Sequence, residues 1–186
     1  MALPIFTIRF FLYVALLIFS LVLFGLTAAR IHYTTHLPFG DPLNGGVDFY
    51  DPVAAELLFT SLVTSFFAIF MLLTLHKRWE HGFASTLLFE VIILAVLWLF
   101  WVAGAGVASS IWHDVRHCHI YQACRVLSAL LAFAWLGWIT LTALIIFTTF
   151  FIFANKAAHE PSHGRWDPND RSMAFSFRGS RPVSRA

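Results

Sequence analysis

The sequence predicts an all-α membrane protein: a bundle of four transmembrane helices with both termini on the cytosolic side. Three observations carry this. Only 12% of the 186 residues are charged and 59% are hydrophobic, whereas a soluble domain averages about 25% charged. Mean hydropathy is +0.76, so the chain has more apolar surface than water can solvate. Finally, the apolar residues gather into four runs, each at least as long as the roughly 20 residues that span about 30 Å of hydrocarbon.

The first run extends from 5 to about 29, the second from 54 to 75, the third from 84 to 108 and the fourth from 126 to 153. Lipid offers backbone amides no partner, so each run must bond within itself as a helix. Phe and β-branched residues would favour strands in water; length and lipid burial override that propensity here. The first run is too long for the ~7–15-residue core of a signal peptide, so it is expected to remain as a span.

Basic residues set the orientation. With the N-terminus inside, the cytosolic side holds Arg9, Lys77, Arg78, Lys156, Arg165, Arg171, Arg178, Arg181 and Arg185, and the outer side Arg30, Arg116 and Arg125. "HKRWEHG" then forms a tight basic cytosolic turn. The stretch before helix two, with Asp41, Asp48 and Asp51, is an irregular outer loop. Residues 1–154 are expected to form the membrane domain. Residues 155–186 are polar, Ser- and Arg-rich and aperiodic, and read as a disordered basic cytosolic tail.

Two charges lie within apolar runs, Arg9 in helix one and Glu90 in helix three. Both helices start on the cytosolic side, which puts the two at similar depth. An intramembrane charge needs a partner, so Arg9 and Glu90 are expected to face each other as an ion pair. In the alternatives Glu90 is neutral and hydrogen-bonded, or Arg9 snorkels to the interface. Glu56, at the outer mouth of helix two, calls for no special account. Small residues mark packing seams: Ser61, Ser65 and Ala68; Gly104 with Ala108 and Ala105 with Ser109; Ser128 with Ala132. Trp98, Trp101, Trp135 and Trp138 fall at similar depth and would form one aromatic layer if helices three and four are neighbours. The simplest reading of that layer is packing bulk; the sharper one is a platform for a lipid or sterol.

"WHDVRHCHIYQACR", residues 112–125, concentrates histidine with both cysteines. The topology puts it outside, in an oxidising compartment if the chain enters the secretory pathway, so Cys118 and Cys124 are expected to form a small-loop disulfide. His113 and His117 share a helical spacing that can hold zinc or copper, with His119 beside them. A four-ligand site would need the cysteines as thiolates, which the disulfide excludes, so no metal is expected. Every histidine lies in a loop, a tail or at a helix end, which disfavours a membrane cytochrome, and no nucleophile–base or paired-carboxylate pattern is evident. No enzyme activity is expected, and no cofactor beyond bound lipid or sterol.

Four helices, cytosolic ends, a long first outer loop, a cysteine-bearing second one and the stretch "CRVLSALLAFAWLGWITL", residues 124–141, together resemble the MARVEL-domain family, its fungal members above all. Arg9 and Glu90 are compatible with the family's basic residue in helix one and acidic residue in helix three. The resemblance spans residues 5–154 and lies in architecture more than in sequence; the outer-loop histidines fall outside it. It implies a non-enzymatic protein of the plasma membrane or secretory pathway. Such a protein organises microdomains or vesicle traffic by binding membrane lipids and copies of itself, with no role for nucleic acid. A small transporter or channel component is the first rival reading and a membrane oxidoreductase subunit the second.

Overall fold

The computed structural model describes residues 5–37, 39, 44–77, 87–112 and 122–155. These residues are helical apart from turns and short connections: α1 Ile5–Thr34, α2 Pro52–Lys77, α3 Leu87–Ile111 and α4 Gln122–Asn155, with a single 3-10 turn at Asn44–Gly46 before α2. There is no strand among the described residues. All four helices are long and apolar enough to cross a membrane, so the protein is a multipass membrane protein.

The helices overrun their apolar runs at several ends, for identifiable reasons. α1 continues past Arg30 to Thr34 because Arg30 turns inward to a buried carboxylate and is itself buried. A charge partnered inside the bundle does not end a helix. α2 starts at Pro52, two residues before the apolar run. Proline suits the first helical position, where its missing N–H leaves no bond unmade, and the backbone oxygen of Asp51 accepts from Ala55 N. α4 starts at Gln122 and carries Arg125 exposed on its first turns. Gly45, at φ 64°, sits in the left-handed region and lets the connection turn towards α2.

α1 packs on α2 and α4, and α3 on α4 and α2, which closes a ring of four. The start of α1 meets the start of α3 and the end of α4 through Arg9, Glu90 and Thr148, so the helices run up-down-up-down. Each helix buries one stripe. On α1 it is Arg9, Tyr13, Leu16, Ser20, Leu23, Thr27 and Arg30, at helical spacing of three and four. The opposite faces are aliphatic and aromatic, with Phe11, Phe59, Phe66, Leu99, Ile139 and Phe150 all more than half exposed. In a soluble protein that surface would be a liability; here hydrocarbon is its solvent.

Candidate functional site

The polar groups inside this apolar frame form separate levels. At the level near the start of α1, Arg9 Nη2 donates to Glu90 Oε2 at 2.5 Å, and Tyr13 OH donates to Glu90 Oε1 at 2.6 Å. Thr148 Oγ1 adds a long contact to the same oxygen at 3.4 Å. The four side chains come from α1, α3 and α4 and all are buried. Tyr13 lies one turn beyond Arg9 on the same face of α1, so two donors from one helix converge on one carboxylate. Both carboxylate oxygens are thereby engaged. This balances the cost of taking the charge out of water only because the geometry is tight and the hydrogen bonds are made.

Above it, Leu16, Ala68, Met71, Leu94, Leu141 and Leu144 are fully buried and form an apolar layer. Beyond this layer the hydroxyls of Ser20 and Ser65 meet at 2.9 Å between α1 and α2. Trp101 Nε1 donates to Thr64 Oγ1 at 2.9 Å between α3 and α2, and Thr64 in turn donates to the backbone oxygen of Thr60. Thr60 donates to Glu56 Oε1 at 2.9 Å.

At the level near the end of α1, Arg30 Nε lies 3.7 Å from Asp51 Oδ2, with the guanidinium 6.0 Å from the centre of the Phe49 ring. Arg30 and Asp51 are both buried. Arg9 and Arg30 are 21 positions apart on the same buried stripe. At ~1.5 Å per residue that is about 31 Å, the thickness of a hydrocarbon core. The two ion pairs thus stand at the two ends of the apolar slab.

The tryptophans divide. Trp98 and Trp138 lie 5.7 Å apart, and Trp135 meets Trp138 edge-on at 5.5 Å, so α3 and α4 bring three of them together. Trp98 Nε1 donates to Thr142 Oγ1 and Trp135 Nε1 to Ser109 Oγ. Trp101 departs from the expected four-membered layer. It is fully buried, turned towards α2, and its ring lies against Gly137, where a Cβ would come within 2.0 Å of Trp101 Cζ3. The tryptophan group between α3 and α4 therefore has three members and not four.

Glu56 was assigned no role by the sequence. Its Oε2 is buried without a hydrogen-bond partner among the described residues, and a Cβ at Gly104 would stand 2.2 Å from it. Gly104 is where α2 and α3 come close enough to shelter that carboxyl. Of the small-residue seams, Ser61, Ser65, Ala68, Gly104, Ala105 and Ala108 are buried, while Ala132 is exposed. Cys118 and the candidate metal ligands His113, His117 and His119 lie outside the described residues, as does the chain beyond Asn155.

Tyr13, Asp51, Glu56 and Gly137 were not legible as site residues. Tyr13 was the most accessible of them, four positions from Arg9 on one helical face. Asp51 had a signal in the proline that follows it. No protein-family model, curated protein or solved structure matches this chain.

Proposed function

We propose that this is a non-enzymatic tetraspan protein that organises membrane through lipid contact and self-association, as the MARVEL-like architecture implies. The observation that carries the reading is the closure of the inner network. Glu90 is held by Arg9 and Tyr13, and an apolar layer separates it from the hydroxyls above. A conduit needs a chain of exchangeable polar groups through the bundle; these side chains are engaged with each other and act as ties between helices. That favours a scaffold over a transporter. Its working surface is then the outer one, made of aliphatic and aromatic side chains and the Trp98–Trp138–Trp135 group.

In this reading both termini face the cytosol, by the nine-to-three split of basic residues. The Cys118–Cys124 disulfide staples the second outer loop. The ~31 Å between the two ion pairs suits the thicker bilayers of the late secretory pathway and plasma membrane better than the ~27 Å of the endoplasmic reticulum.

Native mass spectrometry of protein released from mild detergent tests the proposal. Oligomers carrying retained lipid, with each chain about 2 Da lighter than its reduced form, are expected. Bound haem, or ion flux through proteoliposomes, would replace the scaffold with one of its rivals.

A further inference from the structure

Residues 44–51, which lead from the 3-10 turn into α2, carry their side chains the wrong way round for a connection in water. Asp51 is buried beside Arg30, and the partly buried Phe49 ring lies 6.0 Å from the same guanidinium. Asp48 Oδ1 accepts from the backbone N–H of Leu37 at 2.8 Å. The apolar side chains are the ones left outside: Val47 is 64% exposed and Tyr50 65%. A connection in water keeps its carboxylates wet and covers its large apolar groups, because a buried charge costs more than a buried ring. Here the backbone holds the reverse arrangement in place. Phe49 N donates to Thr34 O at 3.0 Å and Asp51 faces Arg30, so Tyr50 is pinned between two tied neighbours.

Depth decides what covers these two side chains. Arg30 and Asp51 mark the edge of the apolar slab. Thr34 lies four residues beyond Arg30 on α1, about 6 Å at ~1.5 Å per residue. The headgroup layer beyond the hydrocarbon is about 5–8 Å deep on each side. Phe49 is bonded at the level of Thr34 and Asp51 at the slab edge, so Tyr50 lies within the headgroup layer. Val47 is two residues from Phe49, within about 7 Å of the same level. Directly after Asp51 the chain enters α2, whose exposed Phe59, Leu62 and Phe66 face hydrocarbon, so the apolar surface is continuous with the lipid-facing one. Tyrosine suits that layer, with an apolar ring for the acyl boundary and a hydroxyl for water. We propose that Val47 and Tyr50 anchor this end of the bundle in the headgroup layer, with phospholipid as their partner. The anchor holds the connection against the bilayer surface and fixes the depth of the Arg30–Asp51 pair. It extends the lipid contact proposed above to a loop, and rests on the four spans rather than on the scaffold role.

The test uses the full chain, labelled with fluorotyrosine, reconstituted in phosphatidylcholine nanodiscs and read by fluorine NMR. Tyr50→Phe assigns the Tyr50 resonance by its loss, and Val47→Tyr in that background moves the reporter to position 47. Both changes fall at exposed positions and leave the packing untouched. Two paramagnetic probes are compared: phosphatidylcholine carrying a nitroxide on its headgroup, and a soluble gadolinium chelate. At both positions the reporter should lose signal to the headgroup nitroxide and should be broadened by gadolinium less than free fluorotyrosine is. A reporter at either position that ignores the headgroup nitroxide, or that responds to gadolinium as the free amino acid does, overturns the anchor. Protection that vanishes when each nanodisc holds one copy also overturns it, by assigning the surface to a second copy of this chain. Bound haem or ion flux would remove the scaffold role and leave these spectra unchanged, so the two readings fail separately.

Discussion

The guanidinium of Arg9 meets the carboxylate of Glu90, 81 positions away in the chain, in the interior of the bundle and 2.5 Å from nitrogen to oxygen. Removing one partner leaves the other charged and buried, so Arg9→Ala or Glu90→Ala should each cost about 3–5 kcal/mol. The double substitution Arg9→Met with Glu90→Leu should cost far less than the two single changes summed. Tyr13→Phe removes one hydrogen bond to a charged group and should cost roughly 1.5–3 kcal/mol. Unfolding in mixed micelles with a double-mutant cycle measures all of these. Additive Arg9 and Glu90 effects would mean that the pair is not coupled.

Glycines in the helices should respond unequally to the same substitution. Gly137→Ala drives a Cβ into the Trp101 ring, which Thr64 holds in place, so overpacking of about 1–3 kcal/mol is expected. Gly104→Ala meets the Glu56 carboxyl and Leu57, whose side-chain ends can yield in part, and should cost less. Gly25 and Gly106 have nothing within 4 Å of a built Cβ; alanine there should be neutral or stabilising by up to about 1 kcal/mol through helix propensity. Melting temperatures in detergent for the four variants should rank accordingly.

The Arg30–Asp51 pair offers a milder version of the Arg9–Glu90 one. Asp51→Asn removes the charge facing Arg30 and keeps a side chain that caps a helix well, whereas Asp51→Ala loses both. The alanine variant should therefore be the less stable by about 1 kcal/mol. Equal stabilities would show that Asp51 contributes only through its charge.

Lipids brominated on their acyl chains should distinguish the tryptophans. Trp135 is about a third exposed on the outer face of α4, and Trp101 is fully buried between helices. In single-tryptophan variants reconstituted with such lipids, fluorescence from Trp135 should be quenched strongly and that from Trp101 weakly. Strong quenching of Trp101 would place it on the lipid-facing surface, against the packing described above.

How far the sequence could be read depended on the kind of signal. Four spans follow from apolar length alone, because lipid permits few alternatives for a run of that size. Helix ends were less legible. Arg30 looked like the end of a span, and only its contact with Asp51 explains why α1 continues. Counting residues puts the four tryptophans at similar depth, yet counting says nothing about rotation around the axis. Trp101 faces α2 and Trp135 faces outward for that reason. Glu56 gave no sign of being more than an acid at the mouth of helix two, because the feature that shelters it, Gly104, lies on another helix.

The sequence by itself determined that this is a membrane protein of four helices. That conclusion rests on composition and length, which are properties of each segment taken alone. Depth along the spans already named Arg9 and Glu90 as expected partners; only the tertiary structure decided the other meetings: Tyr13 with Glu90, Arg30 with Asp51, Trp101 with Thr64. The physical reason is that lipid is indifferent to how apolar helices rotate about their axes, since one hydrocarbon face serves as well as another. Rotation and pairing are fixed by the few polar side chains and small residues that must find each other across helices. Those encounters join residues tens of positions apart and are not written in any one segment.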